Sequence, residues 1–416
     1  MAEHHLHDRP ADRIEALDFL RGFAVLGILA VNITGFWGPS LAVFSPALPY
    51  PEAGADGWFA LSFVLFEGKM RALFTLLFGA SMVLFANAAE RQGMDANVAQ
   101  MRRLLWLMLF GYLHFALLWW GDILFAYALC GLVALLFLRL SPWQLLGIAV
   151  PFFVLAQGVE ALLDLPGILT EQAVLAGTAP AADMAEQAAM MDRIAASAAQ
   201  DNAVLNAGFL TAIRLRLGHS ALQPLTSAIS NFTETLPLML IGMALLRIGM
   251  FSQWSQRQLG LLALSGIGLG LVPTVMALHW LMKRGWPPRA MFAAIEHGMA
   301  APHLLMAIGY AAALMLAFPH VRATSLGQRL TAAGRCAFTN YIGTTVLMCA
   351  IFNGWGFGLG TGGPGPELPR AWLPAFVVLG WVAMLAWPRW WLARYRQGPL
   401  EALWRRLSLP RVNPVS

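Results

Sequence analysis

The chain has 416 residues, of which 58% are hydrophobic and 12% charged, and its mean hydropathy is +0.63. A soluble protein carries about 25% charged residues, so this chain lacks the charge to cover a water-facing surface, and reading its length as two or three soluble domains misleads. The net charge of +5 and pI near 9.4 do not make a nucleic-acid binder, because the basic residues fall between apolar runs and not along one solvated face. The same composition excludes a disordered chain and a coiled coil.

The polar start, Met1 to Arg13, holds His4, His5 and His7, read as an untethered tail in preference to a metal site. The apolar run from Leu17 is too long for a signal-peptide core and is expected to be a retained span. Stretches of about 20 apolar residues, the length that crosses a bilayer, fall at 17–37, 57–88, 104–120, 123–138, 143–163, 232–250, 258–282, 291–318, 333–353 and 371–388. The fold expected is therefore all-α, a polytopic membrane helix bundle of about ten transmembrane helices, with Trp and Phe at the lipid interfaces. Residues 57–88 read either as one long tilted helix or as a shorter span with a re-entrant piece. Gly121-Asp122 must make a very tight turn.

With the N-terminus inside, 17 basic residues fall in cytoplasmic segments and 7 in outer ones, which supports both termini in the cytoplasm. The organisation expected is an N-terminal bundle over 1–163, an outer segment over 164–231, a C-terminal bundle over 232–395 and a cytoplasmic tail over 396–416. The segment 164–231 is too long for an ordinary connection. Its Ala- and Met-rich stretch 181–215 reads as helices lying on the membrane or capping a cavity. Cys130, Cys336 and Cys349 sit in apolar runs without metal spacing and read as packing residues. No HExxH, GxSxG or Cys/His zinc pattern occurs, so no metal is expected.

Ionisable groups inside spans are costly, which makes them candidate site residues. On the first span Asp18, Arg21 and Asn32 share a face, since eleven residues make about three helical turns. Asp18 and Arg21 are spaced to pair. In FEGKMR, Glu67, Lys69 and Arg71 fall near the bilayer centre. Glu67 and Arg71 are expected to pair at i,i+4, with Lys69 needing a partner of its own. The cluster is either a binding site, an ion-pair knot or a break between two shorter helices. His114 lies at similar depth on the face of Arg103 and suits a general base or proton relay. Asp122 either orients a ring or caps the turn. Glu296, His297 and His303 would sit above Asn340 and Tyr341 only if their helices pack together.

Several strings are similar to the YeiB-like membrane family, a bacterial group: RIEALDFLRGFAVLGILAVNI (13–33), EGKMRALFTLLFGASM (67–82), the segment 102–131, and the C-terminal pieces 334–360 and 394–408. The likeness covers nearly the whole chain, the long outer segment least. That group in turn resembles the transmembrane acyltransferase superfamily, which includes the acyltransferase-3 O-acetylases and the heparan glucosaminide N-acetyltransferase. The shared feature is Leu20-Arg21-Gly22 with a polar residue eleven positions after Arg21. The O-acetylases have His there, whereas this chain has Asn32, as the heparan enzyme does. The heparan enzyme has its catalytic His shortly after the first span. This chain has none in 38–56, which leaves His114 as the replacement.

The resemblance implies a bacterial inner-membrane enzyme moving an acyl group from a cytoplasmic donor such as acetyl-CoA to a hydroxyl or amine of an envelope glycan or lipid. His114, Asn32 and Arg21 would be catalytic, and Asp18, Glu67, Lys69, Arg71 and Asp122 would bind substrate. Glu296, His297, Asn340 and Tyr341 are secondary candidates. A transporter or flippase of a small anionic or lipidic solute would use the same charges as a midplane site, and a non-catalytic assembly protein would dock through 164–231. Membrane lipids are expected partners and nucleic acid is not.

Overall fold

The computed structural model describes residues 10–49, 51, 54–362 and 368–408. His4, His5 and His7, and the Gly/Pro stretch 363–367, lie outside the described residues. Those described form helices and no strand. In chain order they are α1 (Pro10–Trp37), α2 (Ala55–Leu65), α3 (Lys69–Arg91), α4 (Ala96–Leu117), α5 (Leu124–Ala134), α6 (Pro142–Leu175), α7 (Ala181–Leu205), α8 (Phe209–Ser220) and α9 (Gln223–Ser230). The second part holds α10 (Phe232–Arg247), α11 (Gln256–Lys283), α12 (Pro288–Ala293), α13 (Ala300–Val321), α14 (Ser325–Arg335), α15 (Ala337–Phe352), α16 (Leu373–Leu392) and α17 (Pro399–Ser408).

Six helical stretches are long and apolar enough to cross a membrane, or seven if the bent pair α9–α10 is one span. The protein is a multi-pass membrane helix bundle. The other three expected spans coincide with α4, α5 and α15. The apolar helices 124–137 and 337–352 have fewer than 18 residues, and at 1.5 Å per residue each falls short of the roughly 30 Å hydrocarbon core. They lie inside the bundle, where other helices shield their ends.

Burial sorts the helices. The apolar window of α1 is 78% buried and that of α6 only 22%, so α1 is central and α6 faces lipid. Leu162, Leu163 and Leu264 are exposed, which hydrocarbon accepts and water would not. The central helix packs on α3, α14, α15 and α16. Its crossing with α14 brings backbones into contact, since a Cβ on Gly334 would stand 1.7 Å from Asp18 O and one on Gly22 would stand 2.0 Å from Leu330 O. Small residues permit such crossings in membranes. Gly334→Val is expected to overpack this contact at a cost of about 1–3 kcal/mol, read as a lower midpoint of unfolding in detergent. Gly343→Ala, which meets open space, is expected to leave the midpoint unchanged.

Residues 57–88 lie in one 36-residue stretch, Asp56–Arg91, that is interrupted at 66–68. The α2 helix ends at Leu65, Gly68 takes φ 70°, and α3 starts at Lys69. The segment after 163 is helical too. The sixth helix runs on to Leu175, past the expected end of its span, and α7 and α8 follow as separate helices. The eighth helix packs on the end of α4, and α7 on the turn after α1.

Candidate functional site

Two polar centres lie inside the bundle. The first is built on the turn between α4 and α5. Asp122 accepts from Phe125 N at 2.8 Å through Oδ2, capping α5, while its Oδ1 lies 2.9 Å from His114 Nδ1. It therefore both caps the turn and orients the ring. Both side chains are sealed, at 0% and 1% exposure.

On the far side of the ring, His114 Nε2 lies 3.0 Å from Thr345 Oγ1, and that hydroxyl also reaches Tyr341 O at 3.1 Å. One hydroxyl proton cannot serve both acceptors. If His114 carries two protons, Nδ1–H goes to Asp122, Nε2–H to Thr345, and the Thr345 proton to Tyr341 O. With one ring proton the Thr345 hydroxyl donates to Nε2 instead and Tyr341 O keeps its helical partner, so the contacts hold the ring in either state. The Tyr341 ring lies 5.1 Å from that of His114, and its hydroxyl donates to Gly121 O at 3.3 Å. Asn32 lines a void of about 10 Å³ together with Tyr341 and Thr345.

A cavity of about 520 Å³ approaches this centre. Its open side carries Arg335 and Arg396, with Arg21 and Arg103 further along the wall; its closed end is Leu107, Leu124, Tyr127 and Tyr341. His114 stands behind Tyr341 and does not line it. Four arginines face two carboxylates there, Asp18 and Glu401. The arginines are held in place. Arg21 pairs with Asp18 as its spacing predicts and donates to Ser81 Oγ at 2.9 Å. Arg103 stacks between Phe85 and Trp404, with its guanidinium 4.8 and 4.3 Å from the ring centres. Arg335 donates to Arg396 O.

Glu401 fixes α17 beside this cavity by accepting from Thr339 N at 3.0 Å and Thr339 Oγ1 at 2.6 Å. Burial pushes its carboxyl above the ordinary range, against those hydrogen bonds, which pull it down. A carboxyl raised in the folded state holds its proton more tightly there than in the unfolded chain. Its contribution favours folding at low pH and is lost as pH rises through the folded value. Glu401→Gln is therefore expected to match or exceed the wild-type unfolding midpoint at about pH 8, with the gap closing towards about pH 5, below which a carboxyl ordinarily gains its proton. Glu401→Ala leaves Thr339 N–H without its acceptor and is expected to lower the midpoint at both.

The second centre is the break between α2 and α3. Lys69 is fully buried and donates to Phe63 O at 2.6 Å. That carbonyl belongs to the last turn of α2, where the helix end favours a cation. The lysine thus has its own partner, supplied by the break. Glu67 and Arg71 do not form the expected pair, because the turn at Gly68 removes Glu67 from the register of α3. Arg71 instead meets Glu234 of α10, with Nη2–Oε2 2.8 Å. The ring of His303 packs on Gly68, where a Cβ would stand 1.9 Å from Nδ1, and neither of its nitrogens has a hydrogen-bond partner among the described residues.

The secondary candidates separate. Glu296 and His297 lie on a π-helical turn, and His297 Nδ1 meets Asp164 at 3.2 Å. Asn340 is elsewhere, donating to Ala333 O and Met384 O and accepting from Trp387 Nε1 at 2.8 Å. It latches α14, α15 and α16 together. Only Tyr341 of this group joins the His114 centre. Sequence reasoning missed Thr345 and Glu234. A hydroxyl in an apolar helix is a weak signal, and Glu234, near the start of an apolar run, passes for an interfacial charge. Arg335, Arg396 and Glu401 flank apolar runs in the sequence, where nothing marks them as lining a cavity.

Residues 245–411 match the family described as a protein of unknown function, DUF418. The chain is 30% identical to the uncharacterised protein YeiB of Escherichia coli (strain K12), over 97% of this chain and 98% of that protein. It is 28% identical to the uncharacterised protein YxaH of Bacillus subtilis (strain 168), over 97% and 96%. A 39.9 kDa protein from the amylase 3' region of Bacillus acidopullulyticus is 38% identical over 38% of this chain and 44% of its own length. No solved structure matches. Full-length likeness at this identity, on a bundle of apolar helices, makes the chain a member of the YeiB-like family of multi-pass membrane proteins.

Proposed function

We propose that this protein is an acyltransferase of the bacterial inner membrane, taking an acyl group from a cytoplasmic thioester such as acetyl-CoA and passing it to a hydroxyl or amine of an envelope glycan or lipid. The observation that carries the reading is the 520 Å³ arginine-mouthed cavity whose closed end, Tyr341, touches the His114–Asp122 pair. Its volume suits a small-molecule site. Arg335, Arg396, Arg103 and Arg21 would hold donor phosphates, and the apolar end would take the acyl arm. Rotation of Tyr341 would open the cavity onto His114.

The step balances without another reactant. His114 Nε2 takes the proton of the acceptor hydroxyl or amine, whose oxygen or nitrogen bonds to the thioester carbonyl carbon. The C–S bond breaks and the leaving thiolate receives the proton from the imidazolium. Asp122 holds the charged ring meanwhile through Nδ1, while Nε2–H turns from Thr345 to the reacting groups, and Asn32 would donate to the carbonyl oxygen. Lys69 and Arg71, committed to Phe63 O and Glu234, are structural in this scheme.

Acetyl-CoA is expected to bind the purified protein, with Arg103→Gln and Arg335→Gln each weakening it at least tenfold by calorimetry. Unchanged affinity in both would contradict the donor site. A transporter or flippase is the second reading, favoured by the interrupted stretch with Lys69 and Arg71 at the break. Counterflow of a labelled small anion in proteoliposomes, absent in Lys69→Met, would support it over acyl transfer.

A further inference from the structure

The large cavity is not the only polar space against α4 and the turn that follows it. By the end of α4, beneath the cap of α7 and α8, lies a partly open space of about 40 Å³. It has room for a small polar group and is open on one side, where the rest of a ligand can extend. Three observations mark it. Arg216 lines it at 7% exposure, and among the described residues its five donors meet one acceptor, Ala116 O at 3.0 Å. Asn353 lines it too, 2% exposed, with an Oδ1 that has no partner among the described residues. Trp119 and Trp120 form one wall, and Gln200, Ser220 and Gln223 supply further polar groups. Asp201 is the local anion, but its Oδ2 is taken by Ser40 N and Oγ at 2.8 and 2.6 Å.

The space is also in line with the first centre. Along α15 and its C-cap, Tyr341, Thr345, Cys349 and Asn353 recur every four residues, a ridge that drifts about 40° around the helix at each step. Tyr341 ends the large cavity, Thr345 bonds His114, Cys349 Sγ lies 3.6 Å from Leu118 O, and Asn353 reaches the cap space. The column spans about 18 Å at the helical rise.

We infer that the cap space binds an oxyanion, carboxylate or phosphate, carried on a hydroxylated small molecule that approaches His114 from the side opposite the arginine-mouthed cavity. Arg216 takes the anion, while the tryptophan wall and the amide side chains take the hydroxylated body. This rests on the acyl-transfer reading for its role, as the seat of the acceptor, but not for its existence.

The probes are glucuronate, glucose 6-phosphate and glucose, titrated at constant ionic strength into the purified full-length protein in detergent and read by calorimetry. At least one anion is expected to bind saturably, with glucose at least tenfold weaker; the tighter anion tells carboxylate from phosphate. Arg216→Gln is expected to weaken binding at least tenfold and Arg216→Lys to recover part of it. Because Arg216 also holds Ala116 O, Ser220→Trp provides a second route: it fills the space, keeps Arg216, and should abolish binding. Arg193→Gln, exposed on α7, should leave binding intact. Binding of neither anion, glucose binding as well as the anions, or full binding in both Arg216→Gln and Ser220→Trp would overturn the inference. Anion binding without turnover of acetyl-CoA would leave the site standing and sink the acyl-transfer reading. Turnover without anion binding would do the reverse.

Discussion

Arg71→Leu is expected to lose about 3–5 kcal/mol of stability, the cost of leaving a buried charge without its partner. The two halves of the Arg71–Glu234 pair are unequal. The Glu234 side chain is 7% exposed and that of Arg71 is 31% exposed. Removing the arginine strands a deeply buried carboxylate, whereas removing Glu234 strands a guanidinium that is less deeply buried. Glu234→Gln is therefore expected to be the milder change. The double variant Arg71→Leu with Glu234→Leu should be more stable than Arg71→Leu alone, since no charge is then left buried. Unfolding midpoints in detergent decide it. A double variant worse than either single one would mean that the pair is not what holds α3 to α10.

The second large effect is chemical. His114→Ala is expected to lower acyl transfer by about 10²–10⁴-fold, the usual worth of a positioned general base. Asp122→Asn tests the same claim without removing the ring. An amide at 122 can present N–H to Nδ1, which moves the ring proton to Nε2, where it blocks proton uptake. Its rate should fall nearly as far as that of His114→Ala. Thr345→Val should cost less, since it removes one partner of the ring and not the base. If Asp122→Asn retains full rate, Asp122 is a helix cap alone.

Much of this arrangement can be read along the chain because lipid makes charge expensive. Asp18, Arg21 and His114 stand out in apolar runs, and the α-helical repeat alone puts Asp18 beside Arg21. The Gly121-Asp122 turn is legible for the same reason, since two apolar runs meet there with almost no connection. What stays hidden is pairing across helices. Arg71 has a carboxylate four residues before it, and only the φ of Gly68 reveals that the helix is broken between them. Its real partner, Glu234, is 163 positions away. Thr345 is an ordinary residue for a buried helix, and Tyr341 a candidate without a partner, until their helix meets His114. The arginine mouth is hidden for another reason. Arg335, Arg396 and Glu401 satisfy the rule for residues flanking a span, and nothing in their spacing shows that α17 folds back onto α4.

The most direct test of the acyl-transfer account is release of free CoA from acetyl-CoA by the purified protein in proteoliposomes, supplied with a bacterial envelope extract as acceptor. The account predicts steady release by wild type, loss of about 10²-fold or more in His114→Ala, and an unchanged unfolding midpoint in an active control such as Arg193→Gln. No release by a folded wild-type protein, or equal release by folded His114→Ala, would contradict it.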